Sequence, residues 1–510
     1  MAMGGHARSL PLAVLVWAGA LALAGCAVGP DFLRPSPPAG KDYAPATIAE
    51  PTAAADVQGG AAQRFLRDKD IPGQWWQLFH SEPLNTLIAA AFQANPDVAA
   101  AQAALRVAEE NAAAQRGAFY PQVAGNLTPS RTKTATGAVT PTAASGGAYL
   151  TLYTAQVSVS YVPDVFGLNQ RAVESLEAQA ESQRFQLEAT YLTLTSNLAA
   201  AAIQEASLRG QIAATEDIIG IERQLLDLFR RQLALGHIAE ADVVAQEAAL
   251  AQAEASLPPL RKQLAIERDL LTALTGRFPN EEPAETFELA SIQLPEDLPA
   301  SLPAQVVEQR PDIRQAEANL HTASALVGVA VANRLPNLTL TGSAGTAATD
   351  PSRFFTPGTG FWSIAASLTQ PIFDGGTLLH KERAARAALE QSAAQYRATV
   401  ITAFQNVADT LRALQIDADA LSAALRAERA AAQSLAIARR QLELGAISYL
   451  SLLNAQQTYQ TARIALVQAQ ANRYADTAAL FQALGGGWWN RNDVAAAATN
   501  VRTPTAGAGP

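Results

Sequence analysis

Residues that could do chemistry are sparse in this 510-residue chain. The five histidines, His6, His80, His237, His321 and His380, show no His-Glu-x-x-His spacing, and no glycine-rich phosphate loop or locally paired nucleophile and base accompanies them. An enzyme is not indicated, and neither a cofactor nor a metal site is expected. One seven-residue stretch, however, occurs twice. Arg230 to Gly236 reads RRQLALG and Arg439 to Gly445 reads RRQLELG. Each closes a long helical pattern with a basic last turn and a glycine just past it, the way a helix stops. Arg230, Arg231, Leu235 and Gly236 thus match Arg439, Arg440, Leu444 and Gly445 at two equivalent hairpin tips. Glu240 and Asp242 follow the first tip, where carboxylates favour the positive start of a return helix.

The only cysteine, Cys26, stands at the end of an N-terminal targeting pattern. His6 and Arg8 open it, Leu10 to Leu23 is an uncharged apolar run too short for a mature membrane span, and Leu23-Ala24-Gly25 places small residues before the thiol. Leu-Ala-Gly-Cys resembles the bacterial lipobox. Residues 1–25 then form a signal peptide, and Cys26 becomes an acylated N-terminus. Alanine at position 27, where aspartate would resemble an inner-membrane retention signal, directs the anchor to outer-membrane lipid. A lone cysteine leaves no disulfide framework or thiolate cluster. The net charge of −9 argues against a nucleic-acid partner.

Positioning these features is the work of a duplicated unit. Asn95-Pro96-Asp97 and Arg310-Pro311-Asp312 each open a helix, and Pro121 and Pro336 each follow one. Proline at the first helical position and asparagine before it suit a helix start. Gly167 recurs as Gly375 and Leu274-Thr275-Gly276 as Leu484-Gly485-Gly486 at a nearly constant offset. Repeat 1 therefore covers 81–276 and repeat 2 covers 303–486. Residues 277–302 link them, 26–80 form a lipidated, extended leader, and 487–510 read as a disordered tail. The adjacent Trp75 and Trp76 read as a helix anchored in a core rather than an exposed patch.

Each repeat carries two strand patterns, at about 122–129 and 149–163 and at about 337–346 and 361–373. Tyr149, Val157, Val159 and Tyr161 share one face, with Gln156, Ser158 and Ser160 on the other; Trp362 and Ile364 oppose Ser363 and Ser367 in the second copy. A soluble sandwich and a membrane barrel both show such alternation. In a bilayer, though, four strands leave open edges with unpaired backbone groups, so several chains must share one barrel, and three give twelve strands. Leu168 to Leu235 and Thr377 to Leu444 are proline-free helical patterns of roughly 100 Å each. Their apolar residues recur every seven, as at Ile212, Ile219, Leu226 and Leu233, with interruptions at Glu205 and Glu428. The fold class is thus α+β, mainly long helices, in two tandem repeats.

The lipobox, the Val28 to Pro35 opening, Trp75-Trp76, Asn95-Pro96-Asp97, Asp164-Val165-Phe166-Gly167 and the Leu-Gly tips together resemble the outer-membrane factors of bacterial tripartite efflux systems. The likeness is strongest to TolC/OprM-like, NodT-type lipoproteins and covers about residues 22–487. It implies a homotrimer with a twelve-stranded outer-membrane barrel, four strands per chain, continuous with a periplasmic helical barrel. It also implies passive export of drugs or other small molecules, with a periplasmic adaptor and an inner-membrane RND-type pump as partners. Protein secretion through a similar duct, or a lipid-anchored coiled-coil scaffold, are the alternatives. By the same resemblance the tips dock the adaptor and form the periplasmic aperture, gated at the positions of Glu240, Asp242, Ser451 and Asn454. The second copy departs from the usual acidic pattern at Asn454. Tyr149, Tyr161 and Trp362 would mark the membrane interfaces.

Overall fold

A computed structural model describes residues 27–37, 51–66, 69–133, 149–300 and 303–491; Cys26 and the signal segment lie outside them. The repeat governs the element order. Repeat 1 runs from α1 (Glu82–Ala94) and α2 (Pro96–Arg116) through β2 (Gln122–Lys133) and β3 (Tyr149–Tyr161) to α3 (Leu168–Ala234) and α4 (Glu240–Leu274). Repeat 2 follows the same order with α5 (Pro303–Gln309), α6 (Pro311–Ala332), β5 (Asn337–Ala348), β6 (Gly360–Thr369), α7 (Thr377–Glu443) and α8 (Tyr449–Ala483). Short strands β1 (Arg64–Leu66) and β4 (Asp297–Pro299) lie outside the repeats. Both long helices span 67 residues and both return helices 35, so the duplication extends to element length. No described helix is long and apolar enough to cross a membrane. The start of α2 forms as its sequence dictates, with Asn95 Oδ1 accepting from the amides of Asp97 (2.8 Å) and Val98 (3.3 Å).

Two compact units emerge, and each repeat contributes to both. The first is built on an antiparallel sheet ordered β2-β3-β5-β6, with β2 and β6 at its edges. Register fixes the faces. Val123 pairs with Val159, Val159 with Gly342 and Gly342 with Ile364, so these residues share a side with Leu127, Val157, Leu340, Trp362 and Leu368. The opposite side carries Asn126, Gln156, Ser158, Ser343, Ser363 and Ser367. Pro129 is tolerated because β2 is an edge. The apolar side lies bare, with Trp362 75% and Ile364 82% exposed. Tyr149, Tyr161 and Trp362 all fall on it, and Arg131 and Lys133 stand over the Tyr149 ring at 5.5 and 5.4 Å.

The start of the leader belongs to this first unit. Val28 donates its amide to Phe166 O (3.1 Å), and buried Arg171 pairs with Asp31 (2.6 Å) and Glu174 (2.8 Å). Phe32 stacks on His321 at 4.3 Å. A Cβ on Gly29, whose φ is +97°, would meet Gly328 Cα at 2.4 Å, so the crossing requires glycine.

The second unit centres on Trp75, Phe79, Leu84, Leu87 and Ile88, all 2% exposed or less, with Trp75 stacked on Phe481 at 5.3 Å. Trp75 and Trp76 are core, as their pattern indicates. Two expectations change here. Residues 51–66 are not an extended leader but a folded strap. Within it, Gln58 Nε2 reaches Ile292 O (3.2 Å) and Gln63 Nε2 reaches Thr477 Oγ1 (3.0 Å), and β1 pairs in parallel with β4. Residues 487–491 are not disordered either. Trp488–Asn490 form a 3-10 turn, Trp488 Nε1 donates to Gln309 O (2.6 Å), and Arg491 pairs with Glu188 (2.8 Å). The rest of the tail lies outside the described residues. Glu205, which interrupts the heptads, is fully buried between Arg209 (2.7 Å) and Arg268 (2.9 Å).

Candidate functional site

Both hairpin tips lie in the second unit, and the same local chemistry ends both long helices. The amides of Gly236 and His237 return to Leu233 O (2.8 Å) and Gln232 O (3.0 Å). Those of Gly445 and Ala446 return to Leu442 O (2.9 Å) and Gln441 O (2.8 Å). This is the six-to-one, five-to-two capping motif, and it needs a left-handed residue that the glycines supply at φ +74° and +69°. Leu235 and Leu444 are left 69% and 67% exposed at matching positions. Arg230 pairs with Glu247 at 2.8 Å and Arg440 with Glu443 at 2.9 Å.

Of the four gate candidates, Glu240, Asp242 and Ser451 stand in the first turns of α4 and α8, and Asn454 in the second turn of α8. Asp242 Oδ2 accepts from the Ala239 amide (3.3 Å), the backward half of a capping box; Ala239 has no side-chain acceptor for the forward half. Asp242 therefore caps the helix whatever else it does. Glu240 is exposed. Ser451 shares a hydroxyl contact of 3.1 Å with Ser448, and Asn454 is exposed one turn further on. Acid follows only the first tip.

Behind the tips the two hairpins are joined by a cluster that the sequence reading did not single out. Leu226, Phe229 and Val243 of the first hairpin pack with Leu435, Ala438, Tyr449 and Leu452 of the second, and the Phe229 and Tyr449 rings meet edge-on at 4.7 Å. A polar knot lies among them. The carboxylate of Glu222, only 4% exposed, accepts from the side-chain amides of Gln246 and Gln456, and the Tyr449 hydroxyl donates to Gln246 Oε1. Arg439 adds positive charge nearby, although its Nε and Nη2 lie buried with no hydrogen-bond partner among the described residues. Burial pushes Glu222 above the ordinary carboxylate range, against the pull of Gln246 and Arg439. It also pushes Tyr449 up. The available signal was spacing: Glu222 falls three residues after Ile219 and four before Leu226, on the apolar stripe.

No covalent chemistry suggests itself at the tips. The arrangement suits a constriction: paired helix ends, exposed carboxylates on one hairpin, and an internal tie that couples the two. The chain as a whole is similar to known proteins. The family described as "Outer membrane efflux protein" matches residues 87–277 and 302–486, which are essentially the two repeats. The probable efflux pump outer membrane protein TtgC of Pseudomonas putida is 28% identical over 490 residues, covering 95% of this chain and 97% of its own. The cation efflux system protein CusC of Escherichia coli is 29% identical, covering 94% and 99%. The solved outer-membrane channel OprN superposes with a TM-score of 0.81 at 26% identity, covering 91% of this chain and all of OprN.

Proposed function

Because the chain belongs to the outer membrane efflux protein family, we propose that three copies of it form the passive exit duct of a tripartite pump. One observation carries the reading: a four-stranded antiparallel sheet with one bare apolar side, one hydroxyl-lined side and two open edges. In hydrocarbon an unpaired strand edge is prohibitive, so the sheet must close with other copies. The strands alternate in direction, so β6 of one copy meets β2 of the next antiparallel. Two copies would make an eight-stranded barrel whose interior side chains fill it, whereas twelve strands leave a lumen. The hydroxyl-rich side then lines the pore and the apolar side faces outer-membrane lipid. The helices continue the duct into the periplasm. There the tips, from Arg230 to Gly236 and Arg439 to Gly445, meet a periplasmic adaptor, which links them to an inner-membrane RND-type pump. Small molecules as cargo fit the efflux names of the relatives. An acyl group on Cys26 adds a second hold on the membrane.

Reconstitution into planar bilayers tests this. A heat-resistant oligomer with discrete openings is expected, its subunit mass raised by the Cys26 lipid. Replacing Glu240 and Asp242 together by alanine should raise conductance and weaken cation preference. Absence of openings would sink the duct, and unchanged conductance and selectivity in the variant would sink the acidic gate.

A further inference from the structure

Within the first unit, repeat 2 packs on repeat 1 through a joint between α6 and the start of α3. His321 Nε2 lies 2.9 Å from Glu174 Oε1, Ser182 Oγ donates to Asn319 Oδ1 (2.8 Å), and Thr322 Oγ1 reaches Ser175 O (3.5 Å). The helices lie so close that a Cβ on Gly328 would meet Arg171 Cγ at 2.7 Å. Along this stripe of α3, Arg171, Ser175, Ala178 and Ser182 are each 4% exposed or less. Beside it, residues 162–169 and 332–338 line one cavity of about 390 Å³.

The duplication supplies the same two faces a second time, and there they are open. α7 starts at Thr377 as α3 starts at Leu168, and the first helical bonds run from His380 to Gly376 O and from Arg171 to Gly167 O. His380, Ala384, Ala387 and Gln391 therefore stand in the places of Arg171, Ser175, Ala178 and Ser182, and all four are exposed. α2 starts at Pro96 as α6 starts at Pro311, so Val107 and Ala113 take the places of Thr322 and Gly328. Both are exposed, Val107 at 61%. The connection into α7 bares Ile372 and Phe373 at 97% and 91%, and the end of repeat 1's first helical stretch bares Phe119 and Tyr120 at 39% and 70%. Single apolar residues on a surface are ordinary, but two complementary bare faces at opposite ends of one repeat pattern are not.

We propose that α7 of one copy docks on α2 of the next in the register that α3 takes on α6 within the chain. Ala384 then meets Val107, His380 meets Ala113, and Phe119 and Tyr120 cover Ile372 and Phe373. The proposal rests on the reading of the chain as one subunit of a shared barrel, and it names the helical surface by which the copies hold each other. The sheet obeys the same rule. Gln122 opposite Ser160 matches Asn337 opposite Thr369, so the internal pair Val159 and Gly342 has Leu368 and Leu127 as its counterpart between copies. Both leucines are 70% exposed and lie on the apolar side. Charge fits as well. Arg383 replaces Glu174 and Arg106 replaces His321; Glu110, one turn on from Arg106 and exposed, supplies the carboxylate between the two arginines.

Disulfide trapping in the full-length protein tests the register, because two cysteines bridge only when their Cα atoms lie within about 7 Å. Val107→Cys combined with Ala384→Cys, oxidised in isolated outer membranes, should give covalent dimers and trimers that survive boiling and collapse on reduction. Either substitution alone should leave monomers on the denaturing gel. So should Val107→Cys with Gln391→Cys, which moves one thiol about 10 Å along α7. Should the first pair not assemble, Ala113→Cys with His380→Cys reads the same joint. Glu110→Arg should lower the temperature at which the oligomer dissociates, and Arg383→Glu added to it should restore that temperature. Trapping by the displaced pair as strong as by the matched one would overturn the register. Monomers from both matched pairs, in a protein that still opens discrete pores in bilayers, would overturn the docking and leave the exit duct standing. Monomers in a protein with neither pores nor a heat-resistant oligomer would remove both.

Discussion

At the scale of single residues, the Glu222 knot says most about how the two hairpins stay together. A buried carboxylate that accepts two amides is worth more to its partners than to itself. Glu222→Ala strands two buried donors at about 1–3 kcal/mol each, so a loss of about 2–4 kcal/mol is expected. Glu222→Gln keeps an acceptor for both and removes the desolvated charge, so its melting temperature at neutral pH should equal or exceed that of the parent. Because Glu222 titrates above its usual 4.5 when folded, its contribution is full below that value and declines as pH rises through the raised one. Melting curves of parent and Glu222→Gln in detergent should therefore diverge as pH increases from about 4.5. Parallel profiles would show that Glu222 does not titrate in the folded protein. The knot was hard to read in the sequence because its members come from four helices, and a lone Glu or Gln on an apolar stripe is indistinguishable from a heptad fault until its partners are placed. Glu205 is such a case: an interruption by pattern, a buried ion-pair centre in space.

Elements were far more legible, for reasons that differ between them. Helix stops are written locally, in a left-handed glycine and a basic last turn, so both tips could be located to the residue. Strand faces are written in a period of two, and the register confirms every face assignment made from alternation. The strap escapes a reading of residue types because, beside the side chains of Gln58 and Gln63, its own backbone holds it. Ala61 O and Gln58 O accept from Arg473 and Gln470, and backbone acceptors leave no trace in residue type. The tail was misread because the glycines before Trp488 look like a terminus, whereas they let the chain turn back onto the core. The hairpins also differ at their return starts, since α4 begins after Ala239 where α8 begins after Ser448. Ala239→Ser would supply the missing forward cap to the Asp242 amide and stabilise the first hairpin by about 1 kcal/mol. A shift in melting temperature, with slower exchange confined to the start of α4, is the expected result; no change at that helix start would mean the backward half of the box already suffices.

At the scale of the whole molecule, the decisive question is what the two sides of the sheet face, and two substitutions on one strand answer it. Ile364 and Ser367 lie three residues apart on β6, one on the apolar side and one on the hydroxyl-lined side, and both are exposed in the single chain. A water-soluble sheet would treat an arginine at either place alike. A membrane barrel does not: an arginine facing hydrocarbon near mid-depth costs about 2–4 kcal/mol, whereas one facing the lumen is solvated and alters only what passes. Ile364→Arg should therefore reduce the amount of heat-resistant oligomer recovered from outer membranes. Ser367→Arg should assemble normally and, with one added positive charge from each copy on the lumen wall, shift ion preference towards anions. Equal assembly of the two variants would remove the barrel, and with it the duct. The reverse order, with Ser367→Arg failing and Ile364→Arg assembling, would turn the sheet inside out.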